Sequence, residues 1–159
     1  PACGQTGKLH STGDVFHCDC GMRVRFTPTG FFDKVDPSDP EPAFKTVRDW
    51  DYWQNKRILE YAESLGDDEI AYCDEGVKLI AVEAGHKDSV LEIAKLSISK
   101  YALRVGEHTF PLDRVSSMGL VGVYKMLFSM DGNSYELRAA KTPYCGRKYF
   151  TFYELLKKQ

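Results

Sequence analysis

Alternation of apolar and polar positions dominates the second half of the chain. Leu96, Ile98, Ala102 and Leu103 lie in one such run. Tyr124, Met126 and Phe128 alternate with Val123, Lys125 and Leu127 in a later one, and Tyr135, Leu137 and Ala139 continue the pattern. A period of two puts successive side chains on opposite faces of a strand. Met130-Asp131-Gly132-Asn133 separates the last two runs. Asp-Gly at such a place signals a hairpin, because Gly takes positive φ at no steric cost. The pattern predicts strands at 70–73, 77–82, 90–99, 108–112, 115–120, 123–130 and 134–139. Asp74-Glu75-Gly76, Gly85-His86-Lys87-Asp88 and Gly106-Glu107 are the predicted turns. The period then changes. Tyr149, Phe152, Tyr153 and Leu156 recur at helical spacing and predict a helix from Gly146 to Lys157.

The first half carries a different signal. Thr46-Val47-Arg48-Asp49 has the form of a capping box, and Trp50, Trp53, Arg57 or Ile58, Tyr61 and Leu65 follow on one stripe until Gly66. A linking helix over 46–66 is predicted. Its two tryptophans are assigned to packing, since large aromatics dominate burial energy, in preference to a ligand platform. Residues 31–45 form a connector, in which Asp36-Pro37-Ser38-Asp39-Pro40-Glu41-Pro42 is expected to be exposed and partly extended. Phe31 and Phe32 are expected to anchor its near end.

Residues 1–30 are poor in large apolar side chains and rich in cysteine. Ala2-Cys3-Gly4 and Cys18-Asp19-Cys20-Gly21 look like the two knuckles of a zinc ribbon, with Ser11-Thr12-Gly13-Asp14 as a hairpin tip between them. Three cysteines leave a tetrahedral ion one ligand short. A cysteine upstream of Pro1 would complete a Cys-Pro-x-Cys-Gly pattern, and His10 or His17 are the alternatives. Structural zinc on Cys3, Cys18 and Cys20 is the expectation. The remaining thiols, Cys73 and Cys145, are expected to be buried.

Composition narrows the classes. The hydrophobic fraction of 43% and aromatic fraction of 13% are those of a folded protein. A formal charge of −2 lacks the basic footprint of a general nucleic-acid binder. The chain has no apolar run of the ~20 residues a membrane helix needs. It opens on Pro1, which suggests a fragment of a longer protein, and its cysteine usage suggests a reducing, cytoplasmic setting.

The expected fold class is α+β: a zinc-ribbon-like region (1–30), the connector (31–45), the helix (46–66) and an antiparallel strand module with a terminal helix (67–159). The module resembles the pleckstrin-homology-like superfold, in which the helix plugs one open end of a bent sheet. Together with Gly30-Phe31-Phe32, Phe44-Lys45-Thr46-Val47-Arg48-Asp49-Trp50-Asp51-Tyr52-Trp53-Gln54, Tyr135-Glu136-Leu137-Arg138 and Tyr153-Glu154-Leu155-Leu156, the whole chain resembles the C-terminal extension of lysophospholipid (1-acylglycerol-3-phosphate) acyltransferases of Gram-positive bacteria. The resemblance implies a catalytic half upstream of Pro1. It also implies a non-catalytic accessory role for this chain, at the inner face of the cell membrane, with the acyltransferase domain as its partner in the same polypeptide.

That family's chemistry uses His-x-x-x-x-Asp. His108-Thr109-Phe110-Pro111-Leu112-Asp113 matches it literally, but in a strand-to-turn passage without a phosphate-binding segment, so it is not assigned as catalytic. Cys145, flanked by Lys141, Arg147 and Lys148, has no base placed beside it by the sequence; His86 and His108 are the only nominal ones. The competing functions are a stand-alone protein- or lipid-binding module and a nucleic-acid-binding ribbon. Acidic Asp74-Glu75-Gly76, read as the first loop of the module, weighs against lipid phosphates. Asp14 and Asp19 offset Arg23 and Arg25 in the ribbon, which weighs against nucleic acid. The basic C-terminus, with Lys141, Arg147, Lys148, Lys157 and Lys158, is a cue for membrane-surface contact.

Overall fold

The computed structural model describes residues 3–4, 8–83, 89–122, 124–141 and 144–158. Its class is α+β, with two helices and two antiparallel sheets of four and seven strands. The chain divides into two compact units, Pro1–Lys56 and Arg57–Gln159.

In the first unit β1 (Leu9–Thr12), β2 (Val15–Cys18), β3 (Arg23–Phe26) and β4 (Phe32–Asp33) pair in sequence order. Thr12 faces Val15, so Gly13 and Asp14 alone make the turn, with Gly13 at φ 60°. So small a sheet has little aliphatic core, and rings fill the gap. Phe16 and Phe26 pack on buried Phe32, with centroids 6.1 and 5.7 Å away. Trp50 lies 5.8 Å from Phe32 and 6.2 Å from Phe44, and Trp53 lies 5.4 Å from Phe44. The tryptophans therefore pack, as expected. Phe31 does not: it is 52% exposed, so Phe32 alone anchors the connector.

The connector is largely exposed, as expected, but residues 36–39 in its middle are turned and not extended. Ser38 donates its N–H and its hydroxyl to Asp36 Oδ1 (2.9 and 2.6 Å), and the Asp36 N–H donates to Asp39 Oδ2 at 2.9 Å. Arg23 on β3 then grips Asp39 Oδ1 at 2.6 Å. Aspartate side chains bonding their own backbone make this a compact turn, which proline content alone hides. The Arg23 guanidinium, followed by the Asp36 N–H, holds the Asp39 carboxyl below its usual range.

Helix α1 (Val47–Ser64) begins as its sequence dictates. The Asp49 N–H donates to Thr46 Oγ1 at 3.1 Å, and the Thr46 N–H donates to Asp49 Oδ2 at 3.0 Å. Both satisfy donors that a helix end otherwise leaves open. Thr46→Ala is expected to cost about 1 kcal/mol in urea unfolding, and Thr46→Ser close to nothing. Equal losses from both would show that the hydroxyl is not the cap.

The second unit holds β5 (Tyr72–Val82), β6 (Ser89–Ile98), β7 (Ala102–Val105), β8 (His108–Pro111), β9 (Val115–Val121), β10 (Lys125–Met130), β11 (Asn133–Ala139) and α2 (Gly146–Lys157). The order in the sheet is β8-β7-β6-β5-β11-β10-β9. Two meanders thus meet where the first strand pairs with the last. The Asp-Gly hairpin is as predicted, with Asp131 at φ 51° and Gly132 at φ 82° between β10 and β11.

Two expectations about the strands are corrected. Asp74-Glu75-Gly76 is not a turn. It is a bulge inside β5, where pairing steps from Asp74↔Leu96 to Val77↔Ala94 and Gly76 takes φ 67°. Bulges and tight turns call on the same glycine chemistry, which the sequence cannot separate. The acidic residues therefore sit mid-strand, and the connection from β5 to β6 falls at 83–88. Gly85-His86-Lys87-Asp88, predicted as the next turn, lies outside the described residues. The second correction is β7, which follows a reversal at Lys100 and Tyr101 closed by the Ser99 N–H on the Ala102 carbonyl at 2.9 Å.

Leu79, Leu96, Ile98, Leu103, Val105, Met126 and Leu137 form a fully buried interior, joined by Ala62 and Leu65. Tyr149 and Phe152 of α2 are both 0% exposed within it. The helix is also pinned by polar contacts. Tyr149 donates to Asp74 Oδ2 at 2.6 Å, Tyr153 to the Val115 carbonyl at 3.0 Å, and Lys157 to the same carbonyl at 2.5 Å. Burial, with the Asp74 hydrogen bond behind it, pushes the Tyr149 hydroxyl far above its usual pKa. No helix among the described residues is long and apolar enough to cross a membrane.

Candidate metal centre

The β1–β2 hairpin carries Cys18 to a fixed place at the end of β2, where it is 5% exposed. The chain then reverses. The Gly21 N–H donates to the Cys18 carbonyl and the Cys18 N–H to the Met22 carbonyl, both at 2.9 Å. Gly21 reverses at φ 91°, and Gly4 after Cys3 adopts a similar φ of 76°. Both positions are open to an added Cβ, but their positive φ would strain any residue that carries one. This is the physical content of the Cys-Gly pairing seen in the sequence.

The reversal brings three sulfurs together. Cys3, Cys18 and Cys20 have sulfurs within 4.8 Å of one another, and Cys3 Sγ lies 3.7 Å from Cys18 Sγ. Ligands about 2.3 Å from a tetrahedral zinc stand roughly 3.8 Å apart, so the spacing fits a shared ion. The knuckle also supplies N–H groups to sulfur. The Met22 N–H, followed by hydrogen bonds with Cys18 and Cys3, holds the Cys20 thiol below its ordinary pKa. The Cys20 N–H favours the Cys18 thiolate, but burial and the two neighbouring thiols outweigh it and push Cys18 up. The three residues can hold a metal ion.

His10 and His17 face one another across β1 and β2, with stacked rings 5.4 Å apart. His10 Nε2 is 3.2 Å from Asp19 Oδ1, and Lys8 Nζ is 3.4 Å from Asp19 Oδ2. Neither histidine stands in the group of three sulfurs. Asp19, at the knuckle tip, entered the sequence reading only as a charge offsetting Arg23 and Arg25, whereas its partners are Lys8 and His10.

The other candidates separate. His108 lies on β8, an edge strand, with Nε2 3.7 Å from Glu92 Oε2. Asp113 follows in the turn before β9 and is exposed. Cys73 and Cys145, expected to be buried, are both exposed. Cys73 alternates away from the interior on β5, and Cys145 is the N-cap of α2 without a side-chain cap bond. His86 lies outside the described residues. Comparison with protein-family models, curated proteins and solved structures finds no match for the chain.

Proposed function

We propose that this chain is a non-catalytic accessory region of a membrane glycerophospholipid acyltransferase, of the 1-acylglycerol-3-phosphate type, whose catalytic half precedes it in the same polypeptide. The observation that carries the reading is the sequence of parts. A Cys-Gly knuckle sheet comes first, then a capped helix, then seven antiparallel strands in the order β8-β7-β6-β5-β11-β10-β9 with α2 packed into their core. That strand order and terminal helix support the pleckstrin-homology-like form of the module. Cys3, Cys18 and Cys20 would hold a structural zinc ion, with a fourth ligand from upstream of Pro1. The bound ion would supply cross-linking of the knuckles and no chemistry on substrate.

Acyl transfer to a hydroxyl needs a base and a phosphate site converging on one carbonyl. His108 instead faces Glu92 on an edge strand, which supports a structural role for it. The isolated chain is expected to transfer no label from acyl-CoA or acyl carrier protein to lysophosphatidate. The parent protein is expected to do so, and equally with His108→Ala. Turnover by the isolated chain, lost in His108→Ala, would replace this reading with an active site at 108–113.

A further inference from the structure

The seven-stranded sheet has a face turned away from its core, and register fixes what lies on it. Ile93, Lys78, Arg138, Lys125 and Val121 stand directly opposite one another in a single row across β6, β5, β11, β10 and β9. Their chain neighbours Leu79, Leu137 and Met126 point into the core and are 0% exposed. The next row reads Val90, Ile80, Glu136, Leu127 and Gly119.

Like charges directly opposite across strands are destabilising. Here three cations are contiguous, and one carboxylate serves them. Glu136, 3% exposed, binds Lys125 Nζ at 2.6 Å and also accepts from Arg138. The row retains positive charge in a chain whose formal net charge is −2. Lys95, further along β6, adds another cation, loosely paired to exposed Glu75 at 3.9 Å. Aliphatic side chains flank the cations and stay in water: Ile93 and Val121 are each 54% exposed, and Val90 is 55% exposed. Ile80, in the next row, is 5% exposed, so the exposed aliphatics lie toward the ends of the rows, on either side of the cations. Cations bordered by exposed aliphatics match an anionic interface with apolar depth behind it. Nucleic acid fits less well, because bases stack on aromatic side chains and neither row contains one.

We infer that this outer sheet face is a docking surface for an anionic lipid bilayer, with Lys78, Arg138 and Lys125 at the headgroups and Ile93 and Val121 reaching the acyl boundary. The inference deepens the accessory-region reading by naming the surface through which the chain would sit on the membrane. It can fail separately, since vesicle binding needs no acyl transfer.

The test is co-sedimentation of the whole chain with vesicles of phosphatidylcholine alone or mixed with phosphatidylglycerol. Binding is expected only to the mixed vesicles, weakening as salt rises. A juxtamembrane cation contributes about fivefold to partitioning, so Lys78→Gln should lose about fivefold, and Lys78→Gln with Arg138→Gln more than that. Ile93→Asn should weaken binding while leaving its salt dependence unchanged. Free glycerol phosphate should not compete. Should the Arg138 variant misfold, Lys78→Gln and Ile93→Asn still decide, because both positions are solvent-facing and thermal melts should match the parent. No binding to mixed vesicles at low salt overturns the inference. So does unchanged binding by folded Lys78→Gln and Ile93→Asn, and so does tighter binding to a single-stranded oligonucleotide than to vesicles.

Discussion

Chelating the metal from the full-length protein is expected to unfold the small knuckle sheet and leave the large sheet intact. β1 to β3 span only four residues each, and β4 two, so their hydrogen bonds cannot offset the entropy of ordering the chain. The ring cluster of Phe16, Phe26, Phe32 and Trp50 helps to hold the sheet. Structural zinc contributes about 10–16 kcal/mol in small ribbons and fingers, more than any other single interaction available here. Amide exchange should therefore show β1–β3 losing protection on chelation while β5–β11 keep theirs. Cys18→Ser should do the same without chelator. Metal analysis of protein purified without chelator should find one zinc per chain. No zinc, with all three thiols freely alkylated, would rule the metal centre out.

Phe152→Ala should destabilise the large unit by about 3–5 kcal/mol, a sizeable part of an ordinary domain's stability. The ring is 0% exposed within the core and meets Tyr72 edge-on at 5.6 Å, so truncation opens a void in a packed interior. Deleting α2 goes further. It uncovers the interior and frees the Val115 carbonyl and the Asp74 carboxylate, now bound by Tyr153, Lys157 and Tyr149. Aggregation on deletion is the expected result. A soluble truncation with the parent's melting temperature would show that the helix does not complete the core.

Local chemistry was the most legible part of the sequence. The Thr46–Asp49 cap, the Asp131-Gly132 turn and the bounds of α2 are set by residues within a few positions of one another, and they stand where predicted. The clustering of Cys3, Cys18 and Cys20 was legible for the same reason, since each knuckle carries its own glycine. What the sequence concealed is pairing. Glu75 and Gly76 fit a bulge as well as a turn, and only the register against β6 distinguishes them. The Arg23–Asp39 clasp joins residues sixteen positions apart, with nothing in either local context to announce it. The row of Lys78, Arg138 and Lys125 is likewise invisible until β5, β11 and β10 are laid side by side.

The meeting of the first and last strands of the large sheet orders events in time. β5 can zip onto β6 as soon as both exist, but its other edge waits for β11, with Val82 pairing to Ser134. Closing so long a loop is entropically late, and on the ribosome it is later still, because β11 emerges only after β6 to β10. During synthesis the nascent chain therefore carries an open β5 edge, rich in Val77, Leu79 and Ile80, that stays uncovered until β11 arrives. A stop codon or stall anywhere between β5 and β11 leaves that edge exposed, so vulnerability to misassembly is concentrated in the interval between synthesis of those two strands.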